Sequence, residues 1–463
     1  MTSTDRSAGS ALEPCGDPGE TTADELARKI ETCTAQVGVI GLGYVGLPLV
    51  RALVEAGFPV LGFDIDPEKV TALNAGRSYI RHIGDGTIAG LRRSGRFEAS
   101  ADFARAAEAD VVLICVPTPL TQHREPDLSF VTCTAEAIAP HLRPGQLIVL
   151  ESTTYPGTTV EVVKPILERS GLASGRDWFL AYSPEREDPG NLDFTTTRIP
   201  KVIGGDGPDA GQLATAFYGR VVPHTVPVSS PKVAEAVKLT ENIFRAVNIA
   251  LANELKIVFN AMGIDIWEVI DAAKTKPFGY MPFYPGPGLG GHCIPVDPFY
   301  LTWKAREYGI VTRFIELAGE VNTAMPRRVV EDLALALDQR FAKGLNGARI
   351  LIMGLAYKKN VDDMRESPAL TIMELLEERG AETAYHDPYL PEILHSRRHG
   401  RFAGRRSILL DPSAIADFDA VLIVTDHDDV DYAGLVEAAR LVVDTRNATR
   451  AAAPAHRGKI VLA

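Results

Sequence analysis

The sequence predicts an α/β fold of two doubly wound domains joined by a long central helix. From Gln36 onward, short apolar runs rich in β-branched residues alternate with segments of helical periodicity, which is typical of a parallel sheet covered by helices. Residues 232–263 then keep helical periodicity with few breakers. After about Leu345 the strand and helix patterns alternate again, which indicates a second domain of the same type.

These patterns divide the chain into four regions. Residues 1–35 form an extension that is rich in Gly, Pro, Ser and Thr and therefore expected to be disordered, except for a short helix from Thr22. The first α/β domain spans 36–228, a central helical region 229–330, and the second α/β domain 331–463. The central helix is too long for an ordinary domain helix, so we expect it to bridge domains or to form a subunit interface.

Composition excludes several classes of function. The 463 residues carry a net charge of −12, with a pI of about 5.4, which argues against binding to nucleic acid or to an acidic membrane. The N-terminus lacks the features of a signal peptide, and no apolar run reaches the ~18 residues of a membrane span. Five cysteines form no CxxC pair and no metal-type spacing. We therefore expect a cytoplasmic protein without a metal.

The first strand of the first domain leads into a glycine-rich turn that opens a helix. In this context Gly41 permits the tight turn, Gly43 lets the backbone approach a pyrophosphate, and Gly46 allows helix and strand to pack. Asp64 ends the second strand, where a carboxylate would bind the ribose hydroxyls and repel a 2'-phosphate; no Arg or Lys directly follows it. The sequence thus predicts a Rossmann-like domain that binds NAD in preference to NADP. The expected contacts in the turn are Gly41, Gly43, Tyr44, Val45 and Gly46.

Two polar segments follow later strands of this domain. Glu151–Pro156 ends one apolar run, and Tyr182–Glu187 comes directly after another. Ligands of doubly wound sheets bind at the carboxyl ends of strands, so both segments are candidates for the site. Spacing alone leaves open that either is an ordinary polar loop.

The central helix carries Lys238 and Asn242 four residues apart, and they therefore share a face. A helical lysine by itself is usually a solvated charge. Here Val237, Leu239 and Ile243 make the surroundings partly apolar, which would strengthen the interaction of the ammonium group with an oxyanion.

Cys293 lies in a loop too rich in Gly and Pro to be core, with Asp297 four residues later. This setting is typical of a reactive thiolate with a proton acceptor nearby. The other cysteines have no such setting. We interpret Cys115, Cys33 and Cys133 as small buried hydrophobic residues, and we place Cys15 in the extension.

From about Gln36 to the end, the chain resembles the nucleotide-sugar 6-dehydrogenases of the UDP-glucose/GDP-mannose dehydrogenase superfamily. The resemblance rests on GLGYVG, CVPTP, EST, SPER, Lys238 with Asn242, GGHCIPVDP and YKKNVDDMRESP. It implies an N-terminal NAD-binding domain, a central helix that forms a homodimer, and a C-terminal domain that holds UDP. It also implies two oxidations of the sugar C6 alcohol by NAD, with Cys293 holding the aldehyde as a thiohemiacetal and then the acid as a thioester until water releases it.

The resemblance also implies the roles of single residues. Lys238 and Asn242 would contact the oxygen at C6, and Asp297 would activate water or accept protons. Thr153 would position a catalytic water, and Glu185 would be a further catalytic carboxylate. The remaining residues expected in the site are Thr118 and Arg365 for NAD, and Tyr284, Gly290 and Lys358 for the UDP-sugar.

Two departures bear on the substrate. UDP-glucose and GDP-mannose members usually read GGSC where this chain reads GGHC, and UDP-glucose enzymes have a second glutamate where this chain has Pro189. The motifs favour a UDP-N-acetylhexosamine, with UDP-GlcNAc as the first choice. UDP-glucose, UDP-ManNAc and UDP-GalNAc stay open as alternatives. A β-hydroxyacid dehydrogenase or a non-catalytic nucleotide-sugar sensor accounts less well for Cys293 and the second α/β domain.

Overall fold

The computed structural model describes residues 21–80, 83–121, 123–186, 198–291, 294–395, 398–452 and 454–463. Several sequence predictions concern positions outside these ranges: the disordered start of the chain, Cys15, Glu187, Pro189, His292 and Cys293. None of the described helices combines the length and the apolar character needed to cross a membrane.

The described part of the first domain contains an eight-stranded sheet with the order β3-β2-β1-β4-β5-β6-β7-β8. All neighbouring strands are parallel except β6 and β7, which are antiparallel. The order reverses between β1 and β4, which creates the crevice in which doubly wound sheets bind ligands. The strands are β1 Val37–Ile40, β2 Val60–Phe63, β3 Phe97–Ser100, β4 Val111–Ile114, β5 Leu147–Leu150, β6 Phe179–Tyr182, β7 Lys201–Gly205 and β8 Thr225–Val228.

Helices cover both faces of this sheet, and the interior strands are buried on both sides. This explains why β1, β2, β4 and β5 are continuous apolar runs rather than alternating ones. The short helix predicted from Thr22 is present: Thr21 and Asp24 form a capping box, and Leu26 and Ile30 join the core. The helices are α1 Thr22–Glu31, α2 Gly46–Glu55, α3 Pro67–Asn74, α4 Asp85–Arg93, α5 Ser129–Ile138, α6 Lys164–Leu167 and α7 Pro208–Tyr218.

Two long helices form the centre of the molecule and pack along each other. The predicted long helix is α8, which is capped by Ser230, and a second one, α11, contains Pro326. The expected domain boundary between 330 and 331 falls inside α11. Asn322 binds Asn253 at 3.0 Å and so joins the two helices through a buried polar contact. The helices of this region are α8 Pro231–Ala261, α9 Ile266–Ala273, α10 Asp297–Glu307 and α11 Arg313–Phe341.

The second α/β domain has a five-stranded parallel sheet in its described residues, with the order β10-β9-β11-β12-β13. Two apolar clusters lie on its two faces, and α11 contributes Val329, Leu333 and Leu337 to one of them. The predicted fold class, two doubly wound domains joined by a long helix, is confirmed. The elements are β9 Arg349–Met353, α12 Pro368–Glu378, β10 Glu382–His386, α13 Pro412–Ala416, β11 Ala420–Ile423, α14 Tyr432–Ala438, β12 Val442–Asp444 and β13 Ile460–Leu462.

Candidate active site

The glycine-rich turn between β1 and α2 has the shape that a dinucleotide requires. Gly41 has a φ of +93°, and a Cβ there would lie 2.5 Å from the carbonyl oxygen of Cys115. A Cβ on Gly46 would lie 1.9 Å from the carbonyl oxygen of Gly41, whereas the space around Gly43 is open within 4 Å. The first and third glycines therefore serve packing, and the second leaves room for a pyrophosphate at the start of α2. This geometry fits NAD.

Asp64 lies beside this turn at the end of β2. Its side chain is 7% exposed and accepts hydrogen bonds from the backbone N–H groups of Leu42, at 3.1 Å, and Asp66, at 3.0 Å. The ammonium group of Lys69 lies 3.6 Å from the Asp64 carboxylate. Sequence reasoning missed Lys69 because it considered only the residues next to Asp64, whereas the first turns of α3 fold back toward it.

The second domain reaches the same turn through Arg365. The guanidinium of Arg365 lies 4.5 Å from the centre of the Tyr44 ring. It donates three hydrogen bonds to the Asp363 carboxylate, the shortest at 2.7 Å. Burial disfavours the charged form of Arg365, but Asp363 outweighs it, so the pKa of Arg365 is raised. The structure thus brings two predicted cofactor residues together across the domain boundary.

Two other predicted cofactor residues lie at the same end of the sheet. Val45 precedes α2 and is 36% exposed. Thr118, in the loop after β4, is buried, and its carbonyl oxygen accepts a hydrogen bond of 2.7 Å from the Tyr300 hydroxyl on α10. The central helices therefore brace this loop.

Lys238, Asn242 and Asp297 form a buried polar group where α8 meets the start of α10. They are 5%, 0% and 2% exposed. The Asn242 amide donates to the Asp297 carboxylate and accepts a hydrogen bond from Arg245. The sequence offered no reason to select Arg245, although its place one turn after Asn242 puts it on the same face.

The pKa of Asp297 is raised to about 7 by burial. Lys238, the hydrogen bond from Asn242, and Arg245 each oppose the rise but do not cancel it. A carboxyl group with this pKa can exchange a proton near neutral pH, which is what a general acid–base catalyst requires.

The loop after β5 is anchored to α8 by Glu235. This buried carboxylate accepts hydrogen bonds from the backbone N–H groups of Gly157, at 2.5 Å, and Thr159, at 2.9 Å. Thr153 lies in the same loop and is partly exposed, as a residue that contacts a water or ligand must be. The hydroxyl groups of the neighbouring Thr154 and of Tyr182 are buried and have no hydrogen-bond partner among the described residues.

Glu185, three residues after β6, lies near Glu151 because both bind Lys201. The Lys201 ammonium is 2.7 Å from the Glu151 carboxylate and 3.1 Å from that of Glu185. Sequence analysis singled out the two segments that carry the glutamates but missed Lys201. In the sequence, Lys201 is the first residue of the apolar run Lys201–Gly205. A lysine in this position is normally a solvated charge at the end of a strand.

The glycine loop that precedes Cys293 is packed against the second domain. A Cβ on Gly290 would lie 2.6 Å from the Cβ of Tyr357, and the N–H of Gly291 donates to the carbonyl oxygen of Arg365 at 3.1 Å. Lys358 follows Tyr357 and is partly exposed. Gly290 and Lys358 are thus brought to one junction, whereas Cys293 itself lies outside the described residues.

Tyr284 occupies a different environment from the Lys238 group. It is 39% exposed and stacks on Trp267 of α9 with 5.4 Å between ring centres. Its hydroxyl lies 3.3 Å from Asp271. Among the described residues, the recorded contacts of Tyr284 are with α9 and Lys274, so the structure leaves its expected substrate contact as a prediction.

The remaining cysteines differ from one another. Burial raises the pKa of the Cys115 thiol, and Cys33 packs against the first core as a partly buried residue. Cys133 is exposed, so its predicted burial is wrong. It lies on α5, whose buried face is made by Val131, Ala135 and Ile138, and position 133 points away from that face.

Comparison with known proteins agrees with this geometry. Three models of the UDP-glucose/GDP-mannose dehydrogenase family match the chain in succession. They are the NAD binding domain at residues 35–222, the central domain at 232–324 and the UDP binding domain at 351–451. Both the predicted resemblance and the predicted cofactor are confirmed.

Individual relatives match over most of their length. A UDP-N-acetyl-D-glucosamine 6-dehydrogenase of Pseudomonas aeruginosa is 39% identical over 77% of this chain and 83% of the relative. A UDP-N-acetyl-D-mannosamine dehydrogenase of Salmonella typhi is 34% identical over 89% and 99%. The solved structure of a UDP-D-ManNAc dehydrogenase from Pyrococcus horikoshii has a TM-score of 0.81 at 32% identity and covers 89% and 96%. The chain therefore belongs to the UDP-glucose/GDP-mannose dehydrogenase family, as an NAD-dependent oxidoreductase of UDP-sugars.

Proposed function

We propose that the protein oxidises the C6 alcohol of a UDP-N-acetylhexosamine, UDP-GlcNAc in the first place, to the uronic acid in two steps. The observation that carries this proposal is the buried group of Lys238, Asn242 and Asp297. Asp297 of this group follows Cys293 by four residues in the sequence. A simple alcohol dehydrogenase needs no such cysteine, because it stops at the aldehyde.

In this mechanism the turn of Gly41, Gly43 and Gly46 would hold NAD, which would supply the hydride acceptor for C6. Thr118 and Arg365 are proposed to line its site. The Lys238 ammonium and the Asn242 amide stabilise the negative charge that develops on the C6 oxygen. Asn242 also donates a hydrogen bond to Asp297. Gain or loss of a proton at Asp297 therefore changes the hydrogen bonding of the Asn242 amide, which contacts the C6 oxygen.

Cys293 supplies the covalent step of the proposal. Its thiolate adds to C6 of the aldehyde and forms a thiohemiacetal alkoxide. Loss of a second hydride, which a second molecule of NAD would accept, converts this adduct to a thioester. Water, positioned by Thr153, attacks the thioester and gives up a proton to Asp297 while the C–S bond breaks and the thiolate leaves. Glu185 is proposed as a second carboxylate of the site, and Lys358, Gly290 and Tyr284 as contacts of the UDP-sugar.

The choice of UDP-GlcNAc is supported by the relative from Pseudomonas aeruginosa, which has that sugar in its name at 39% identity. The GGHC motif and Pro189 also separate the chain from the usual UDP-glucose pattern. UDP-ManNAc is the alternative, since the relative from Salmonella typhi carries that name at 34% identity.

The stoichiometry of NADH tests the function. Purified protein is mixed with NAD and a limiting amount of UDP-GlcNAc, UDP-ManNAc, UDP-GalNAc or UDP-glucose, and NADH is measured by absorbance. We expect two NADH per UDP-GlcNAc and slower turnover of the others. One NADH per sugar would identify a simple alcohol dehydrogenase, and two NADH with faster turnover of UDP-ManNAc would transfer the assignment to that epimer.

We also propose that the protein forms a homodimer through α8. Three exposed apolar residues of this helix and its C-cap follow one another at spacings of four, three and four: Leu251 at 53%, Leu255 at 36%, Val258 at 46% and Met262 at 64%. This spacing produces one apolar stripe along a helix. A groove of about 300 Å³ between α8 and α11, lined in part by Ile257 and Met325, adjoins the same region.

Leu251→Glu is expected to convert the dimer to a monomer, because it places a charged carboxylate on the apolar stripe. Light scattering after size exclusion measures the mass, with 50.0 kDa for one chain. Leu409→Glu is the matched control, since Leu409 is 88% exposed in the second α/β domain. A wild-type protein of one-chain mass, or an unaltered dimer of Leu251→Glu, would contradict the proposal.

A further inference from the structure

Lys201 reaches the ligand edge of the first sheet because β7 runs against its neighbour. In a parallel strand the first residue would lie at the opposite edge of the sheet. Here the register pairs Ala181 with Gly205 and Tyr182 with Gly204, and continuing it toward the carboxyl end of β6 places Glu185 opposite Lys201. The reversed direction of β7, which its neighbour β8 shares, thus delivers an ammonium group to the edge where β1–β6 end.

The contacts of Lys201 join two glutamates. Lys201 is 4% exposed, and its ammonium binds Glu151 at 2.7 Å and Glu185 at 3.1 Å. Glu151 is 1% exposed and also accepts a hydrogen bond from the Tyr218 hydroxyl at the end of α7. Glu185 also accepts a hydrogen bond of 2.7 Å from the N–H of Arg186. One ammonium group therefore forms ion pairs with two carboxylates in a largely buried site.

Lys201 is the cation that both Glu151 and Glu185 bind. Burial works against the charged form of Lys201, but Glu151 and Glu185 outweigh it and raise the pKa of the lysine. The Cys115 thiol faces the group from the end of β4. The nearby guanidinium of Arg186 binds Glu241 on α8 at 2.6 Å, so its charge is paired with a different carboxylate.

We propose that Lys201 is a positioning residue for the oxidation, which holds the Glu185 carboxylate ionised and fixed at the substrate edge of the sheet. This inference rests on the catalytic role proposed above for Glu185. Without the ammonium, two carboxylates would face each other in a buried site, and one of them would bind a proton. Glu185, at 14% side-chain exposure against 0% for Glu151, would in addition lose the ion pair that joins it to β7.

The test is the pH dependence of kcat in Lys201→Met. We expect kcat to fall at least tenfold with little change in KM for NAD or UDP-sugar. We also expect the acid limb of the profile to steepen from one decade toward two per pH unit, because a second carboxyl group must now lose a proton. Lys201→Arg retains the charge and is expected to recover most of the wild-type profile. Lys164→Met, which breaks an ion pair to Asp206 of 2.8 Å in the same domain, is the matched control and should leave the profile unchanged.

Lys201→Met leaves a buried carboxylate without its partner, so the variant is prone to unfold. The double variant Lys201→Met with Glu151→Gln removes the surplus buried charge. We expect the double variant to regain thermal stability and to have an acid limb with a slope closer to that of the wild type. Its kcat should stay below wild type, because Glu185 still lacks the ion pair to Lys201. Recovery of full kcat in the double variant would overturn the inference, since Lys201 would then only neutralise Glu151.

Glu185→Gln separates this inference from the role proposed for Glu185. If Glu185→Gln keeps wild-type kcat, the role of Glu185 fails, and the positioning role of Lys201 fails with it. If Glu185→Gln loses turnover but Lys201→Met has the wild-type kcat and pH profile, only the inference about Lys201 is wrong. A loss of thermal stability in Lys201→Met with an unchanged pH profile would likewise overturn it.

Discussion

Cys293→Ala is expected to abolish formation of the uronic acid, with a fall in turnover of about a thousandfold or more. A free aldehyde has no alkoxide at C6 from which a second hydride can leave, and the thiolate is needed to create one. The acid is measured by chromatography of the UDP-sugar products. Mass spectrometry of a proteolytic digest of stalled wild-type enzyme should show the sugar nucleotide attached to the peptide that contains Cys293.

Cys133→Ala is the matched control for this variant, because Cys133 is exposed on α5. It removes an exposed thiol outside the proposed site, and we expect wild-type turnover. Acid formation by Cys293→Ala at the wild-type rate would contradict the covalent mechanism. The absence of any adduct on the wild-type protein during turnover would contradict it as well.

Asp297→Asn is expected to lower kcat by about 10²- to 10⁴-fold, the usual contribution of a general acid–base group. The amide keeps the size of the carboxylate but cannot accept a proton. Since the Asp297 pKa is raised to about 7, wild-type kcat should increase with pH up to about 7 and then level off as the carboxylate forms. Steady-state kinetics across this range measure both the loss of kcat and the loss of the acid limb in the variant.

Asp411→Asn provides the control for this experiment, because Asp411 is an exposed helix cap far along the chain in the second α/β domain. It should keep the acid limb at its wild-type position. An Asp297→Asn variant that retains the same limb would show that another group produces it, and unchanged kcat would remove Asp297 from the proposed mechanism.

The fold was predictable where local pattern and tertiary environment agree. Continuous apolar strands such as Val37–Ile40 and Leu147–Leu150 are buried on both faces, so their composition alone identifies them. α11 was not predicted, because Pro326 interrupts the usual helical pattern. Its stability comes from packing against α8 and from Asn322, which lies 69 residues from its partner Asn253. Such contacts leave no periodic signal in the sequence.

The candidate site was predictable in part for the same reason. Lys238 and Asn242 share a helix face, and Gly41 and Gly46 form a local motif, so short spacing reveals them. Lys201 reaches Glu151 from 50 residues away, and only the reversed direction of β7 brings the two together. Lys69 and Arg365 were placed beside the cofactor turn by the return of α3 and by the docking of the second domain.

The sequence by itself determined the two α/β domains, the dinucleotide turn and the residue types of an oxidation that uses a cysteine, because each depends on residues close together in the chain. The tertiary structure alone decided the pairing of Lys201 with two glutamates, the contact of Arg365 with Tyr44, and the buried state that brings the pKa of Asp297 to about 7. These properties depend on distance and on exclusion of water, which are set by packing between segments remote in the chain.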